Sequence, residues 1–177
     1  LFHHIETEKT MRTFFASAAL FCLPVMTSTA IAAEPSVVTP AVFEFGSSVA
    51  HMNASLQSAC ETLDVRELDV ADMPIAQNSH TQIDCHGFDH AGQPRLAEFV
   101  FADDALAFVW VLTEAEEAPV LRAALEAEFG TPTHDTSMFT AFADNNVSLR
   151  HDTPEFLYYG EHIAPMYRGW FDQMAVQ

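Results

Sequence analysis

The chain has 177 residues and a formal net charge of −18 at pH 7, from 25 acidic side chains against 7 Lys and Arg. Such a surface repels nucleic acid and anionic lipid and favours cationic partners or metal ions, and it also suits a salty medium that screens self-repulsion. At 49% hydrophobic, with 15 Phe, the sequence can fill a core, which excludes a disordered tail.

The first element is a targeting segment. Leu1–Thr10 is polar and lacks an apolar period, and reads as an extension upstream of an initiator at Met11. Met11-Arg12-Thr13, an apolar run from Phe14 to Met26 and the small residues Ala30-Ile31-Ala32-Ala33 have the order of a cleaved signal peptide. A spanning anchor needs about 20 apolar residues, and Pro24 with Thr27-Ser28-Thr29 interrupts this run. Residues 1–33 are therefore expected to be removed, leaving a periplasmic or secreted chain with no membrane span. The removed part carries Glu6, Glu8, Lys9 and Arg12, so the full net charge stays with the mature domain, which has no Lys.

Residues 34–46 read as a Pro-bearing leader with a short strand at Ala41–Phe45. Ser47-Ser48 opens a helix whose apolar face runs Val49, Met52, Leu56, Cys60, Leu63. An irregular acidic stretch from Asp64 to His80 follows. Three strands are predicted near Gln82–Phe88, Leu96–Phe101 and Ala105–Leu112, with turns at His90–Pro94 and Asp103-Asp104. A second helix ends at Phe129 before Gly130 and Pro132; either Thr113 with Glu116 as a capping box or Pro119 as first helical residue sets its start. Three more strands are predicted near Met138–Ala143, Val147–His151 and Glu155–Tyr159, then a helix from about Pro165. The expected class is α+β: a two-layer sandwich in the order α-βββ-α-βββ-α, helices on one face of an antiparallel sheet, with residues 47–177 as one domain of two αβββ units.

Two cysteines survive removal of the first 33 residues. In an oxidising compartment Cys60 and Cys85 read as one disulfide, since Cys60 lies on the helix face and Cys85 shares a strand face with Ile83. The pair lacks the C-x-x-C spacing of a redox site.

The segment Ile83-Asp84-Cys85-His86-Gly87-Phe88, with Gly92–Asp104 and Val109-Trp110, resembles a pattern of exported proteobacterial proteins of unknown function. Leu125 to Tyr159, with its Phe-Gly-Thr-Pro helix exit, resembles small two-layer α/β periplasmic modules of the β-lactamase-inhibitor-like and outer-membrane-assembly lipoprotein kinds. The resemblance implies a fold and brings no catalytic residue.

Chemistry has few places to sit. On a strand, His80, Gln82, Asp84 and His86 share one face, with Asp89 and His90 in the following turn. His80, Asp84, His86 and His90 are thus a candidate set for Zn, Cu or Ni; the alternative is a solvated face of an antiparallel sheet. His-Asp-Thr occurs at His134–Thr136 and again at His151–Thr153. A two-residue turn at Asn145-Asn146 would pair Thr140 with His151 and leave His134 about 20 Å past register, separating the two copies unless the chain folds back. The stripe Ile163, Met166, Tyr167, Trp170, Phe171, Met174 is either a helix face docked on its own sheet or, through Met166, Tyr167, Trp170 and Phe171, an adaptable interaction surface. Asp103-Asp104 reads as a pair of solvated turn acids. Nucleophile elbow, paired-His helix, phosphate loop and dinucleotide fingerprint are absent from the sequence. The expected function is an exported non-enzymatic binding or protein-interaction module, without cofactor, whose ligand the sequence does not name; another envelope protein is one candidate partner. The alternative is a periplasmic metal-binding protein using the His80–His90 segment.

Overall fold

The computed structural model describes residues 35–176; the upstream extension and signal segment lie outside them. Helix α1 (Val49–Leu56) is capped by Ser48, whose hydroxyl accepts from the His51 amide at 3.2 Å. Strands β1 (Thr62–Leu68), β2 (His80–His90), β3 (Gln93–Ala102) and β4 (Ala105–Leu112) follow, then helix α2 (Ala118–Phe129). Strands β5 (His134–Asp135), β6 (Phe139–Phe142), β7 (Val147–Arg150) and β8 (Glu155–Tyr159) lead to helix α3 (Ala164–Ala175). All eight strands form one antiparallel sheet in the order β1-β2-β3-β4-β8-β7-β6-β5.

The α+β class holds, and three details of the expected order do not. Each half carries four strands rather than three. The added ones, β1 and β5, occupy the two edges, where β1 shows exposed side chains on both faces and lacks the alternation that marks a half-buried strand. Residues Ala41–Phe45 form turns, not a strand, and they are no loose leader. Phe43 is buried among Phe88, Phe99 and Tyr158 with ring centroids 5.3–5.6 Å away, and the Tyr158 hydroxyl donates to the Val37 carbonyl at 2.9 Å. The capping box before α2 is Glu114 with Glu117, one residue later than Thr113 with Glu116, across a 3-10 turn at Ala115–Glu117.

Helices lie on both faces, so the two-layer expectation is also corrected. On the first face α1 and α2 bury Met52, Leu56, Leu121 and Leu125 against Ile83, Phe99, Val109, Val111, Leu149 and Phe156. On the second, Ile163 just before α3 and Ala164 and Phe171 within it are buried with Phe139, Leu157 and Tyr159, while Met73 covers Val100 and Phe108. Strand alternation explains the division: Val109 and Val111 of β4 with Phe156 and Tyr158 of β8 face α1 and α2, and Phe108 and Trp110 with Leu157 and Tyr159 face α3. A register shift at Ala107 places Leu106 in the first core and Ala107 in the second.

Cys60 and Cys85 form a disulfide, with Cα atoms 5.4 Å apart. Cys60 stands just beyond the end of α1 rather than on its face, because the chain turns at residues 57–60 to enter β1. The bond ties that turn to the centre of β2 and closes a separation of 25 residues. Reduction, or joint Cys60→Ala and Cys85→Ala replacement, is expected to destabilise the domain by roughly 2–4 kcal/mol. Urea denaturation checks this as a lowered midpoint; coincident curves for oxidised and reduced protein would contradict it.

Candidate functional site

The second face is covered unevenly. Across it runs a row of register partners: Asp64, Asp84, Glu98, Trp110, Leu157, Ser148 and Ala141. Helix α3 covers the β5–β8 end of this row. Residues 72–75 lie over the other side, and a groove remains between them. It consists of two adjoining hollows, about 300 Å³ and 340 Å³, that share Trp110, Met166 and Tyr167.

The first hollow has Trp110, Leu157 and Ser148 for a floor and Met166, Tyr167 and Trp170 for a roof. Helical spacing explains the roof: residues i, i+1 and i+4 flank the buried Phe171 on one side of α3. Arg150 closes one end, its guanidinium carbon 5.4 Å from the Trp110 ring centroid. That charge is already countered, by Glu155 at 2.6 Å and Asp152 at 2.9 Å. Burial pushes the Glu155 carboxyl up to about 7, with Arg150 opposing the rise and Glu98 adding to it. The Ser148 hydroxyl is buried and has no hydrogen-bond partner among the described residues.

The second hollow is more polar. Arg66 grips Asp84 through two nitrogens at 2.8 and 3.0 Å, and Gln82 donates to the same carboxylate at 2.7 Å. Burial raises the Glu98 carboxyl above its ordinary value, and the neighbouring Asp84 adds to the rise.

The candidate metal set does not assemble. Asp84 is engaged by Arg66 and Gln82, and the His80 ring meets the Asp69 carbonyl at 3.0 Å. His86 is exposed six residues along the strand from His80, about 20 Å away at 3.3 Å per residue. His90 is on the opposite face. The cause is a bulge at Gly87 (φ +73°), where a Cβ would run into the Glu61 side chain. The bulge adds one residue and flips the alternation, sending His90 into the first core, where its Nε2 lies 2.8 Å from the Tyr158 hydroxyl. Burial first, then Arg95, brings the His90 imidazole down to about 4. Among the described residues no group of three or more His, Cys, Asp and Glu is placed to hold a metal ion.

The two His-Asp-Thr copies do meet, contrary to the register expected from sequence. The β6–β7 turn is a 3-10 turn at Ala143–Asn145 followed by left-handed Asn146, so Phe142 rather than Asp144 pairs with Val147. Meanwhile β5 folds back on β6 and sets Asp135 opposite Thr140. The Thr140 hydroxyl then lies 3.2 Å from Asp135 and 3.0 Å from His151 Nε2, and Arg122 holds Asp135 through two bonds of 2.7 and 2.9 Å. A hydroxyl beside an imidazole is a component of nucleophilic catalysis, but Thr140 lines neither hollow and the carboxylate orients the hydroxyl, not the imidazole. The cluster ties α2 to the β5 edge.

Asp103 and Asp104 are anchors rather than idle turn acids. The Asp103 carboxylate accepts the amides of Gln77, Asn78 and Ser79 at 2.6–3.1 Å, and the bond from Asn78 leads those that draw its pKa down. Asp104 accepts the Val49 amide at the start of α1 at 3.0 Å. A wider opening, about 1050 Å³, lies between residues 35–41, the β2–β3 turn and α2. Its Glu117 is held by Arg95 at 2.8 Å, and none of the unpartnered buried polar atoms among the described residues lines it.

No family model, curated protein or solved structure matches this chain. Among the described residues no helix is long and apolar enough to cross a membrane.

The α3 stripe divides between docking and display. Phe171 is 0% exposed, whereas Trp170 and Met166 are 36% and 43% exposed. Phe171→Ala is expected to cost about 3–5 kcal/mol, and Trp170→Ala less, because Trp170 is only partly buried. Chemical denaturation of the two variants checks the ranking; equal losses would mean that Trp170 is packed as deeply as Phe171.

Proposed function

We propose that this is an exported, non-enzymatic binding module and that its binding surface is the aromatic groove on the second face of the sheet. The observation that carries this reading is the use of the α3 stripe. Helix α3 spends Phe171 and Ala164 on docking and holds Met166 and Trp170 at the rim of a groove floored by Trp110. Aromatic and Met side chains around a partly desolvated hollow are the composition of binding surfaces. Apolar side chains gathered at an opening, with polar groups beside them, are also the usual form of a small-molecule site.

Export rests on the order of residues 11–33 and agrees with a disulfide-bonded domain. The envelope is then where the ligand or partner is to be sought.

The test is site-specific photo-crosslinking in the envelope of the native host. A photoreactive residue replaces Met166 in one variant and Val120, exposed on α2 at the opposite face, in another. Adducts at position 166 that are missing at position 120 are the expected outcome. Equal labelling at both positions, or none at 166, would overturn the groove as the binding surface.

A further inference from the structure

We propose that the hollow between Trp110 and α3 is a site for a small, neutral aromatic molecule bearing one hydroxyl or keto group, held by the Ser148 hydroxyl. This rests on the reading of the groove as the binding surface and names the ligand class for it.

The size of the hollow, about 300 Å³, stands at the lower end of small-molecule sites, enough for one ring with a short substituent. Its shape follows from its walls. Trp110 lies below, Tyr167 and Trp170 above, and Met166 at the edge supplies a polarizable side chain that adapts to a ring. Rings stacked or edge-on to these walls gain more than their buried area alone.

The charge balance selects a neutral ligand. An anion approaching Arg150 would meet Asp152 and Glu155, both already on that guanidinium. A cation would meet Arg150 itself, which occupies the Trp110 ring where a cation–π contact would form.

The polar group follows from Ser148. Its side chain is 0% exposed, at the centre of the row Trp110–Leu157–Ser148 on the floor, and its Oγ has no partner among the described residues. A buried hydroxyl left unpaired is destabilising, and an Ala at this position would give up no hydrogen bond. A hydroxyl at the base of an aromatic hollow gains its bond when a ligand brings a matching group.

The experiment uses the purified, disulfide-bonded domain and reads the indole N–H resonances of its two Trp residues by NMR, assigned with Trp110→Phe. The probes are p-cresol, toluene and benzoate. Saturable shifts of both indoles with p-cresol are expected, with benzoate weaker. Ser148→Ala is expected to weaken p-cresol about 2- to 12-fold, the range of one net hydrogen bond, and to leave toluene unchanged. Without ligand the same variant should melt no lower than wild type, because it removes an unpaired group. Absence of indole shifts, tighter binding of benzoate than p-cresol, equal weakening of p-cresol and toluene, or a lowered melting point of Ser148→Ala would each overturn the assignment. If p-cresol fails while position 166 still gives specific crosslinks, the ligand class falls and the groove stands; if both fail, the groove falls with it.

Discussion

The pairing of β4 with β8 is the joint on which the rest depends. Five register pairs, from Phe108 with Tyr159 to Leu112 with Glu155, join two four-stranded halves into one sheet. The halves meet through their last strands, so the strand order of one mirrors that of the other. Both cores cross this joint. Val109, Val111, Phe156 and Tyr158 face α1 and α2, and Phe108, Leu157 and Tyr159 face α3 with Trp110 packed beside them. Neither half could close either core alone.

The groove follows from the same arithmetic. Eight strands at about 4.8 Å spacing give a sheet some 34 Å wide, and a helix with its side chains covers about 10–12 Å of it. The first face has α1, α2 and the packed segment around Phe43 to cover it. The second has α3 and residues 72–75. One helix cannot cover such a face, so a strip along the joint stays open, floored by Trp110 and Leu157. On the β1–β3 side of that strip the surface becomes polar, with Asp84 and Glu98 drawn to Arg66 and Gln82 donating to Asp84. The unequal cover of two faces thus turns a stabilising element, the α3 stripe, into one wall of a cavity.

Much of this was legible in the sequence, and what was not has local causes. Strands β2 to β4 and β6 to β8 announce themselves through turn residues and apolar runs, and Cys60 with Cys85 through their apolar neighbours. The edge strand β1 does not, because a strand exposed on both sides needs no alternation; only its pairing with β2 defines it. The single extra residue at Gly87 reverses His90 to the other face, and strand length alone keeps His80 and His86 apart. The 3-10 turn at Ala143–Asn145 shifts β7 against β6, so that Thr140 pairs with Leu149, and the fold-back of β5, which no periodicity announces, brings Asp135 to Thr140 and His151. The α3 stripe shows six apolar positions, yet periodicity cannot rank them. That Phe171 is the anchor and Trp170 the rim depends on where the helix crosses the sheet. Ser148 gave no signal, since a serine on a strand is ordinary until its surroundings are known to be dry.

The central claim is that the groove exists because β4 and β8 make the two halves one cooperative unit. Native-state amide hydrogen exchange tests it directly, through the amides of Val109, Val111, Phe156 and Tyr158. If the joint holds the domain together, these amides open only with global unfolding and share one free energy with the core amides of β2, β3 and β7. Exchange of the β4 and β8 amides through a separate, lower-energy opening, while β2 and β3 stay protected, would show two units in loose contact and would contradict the account.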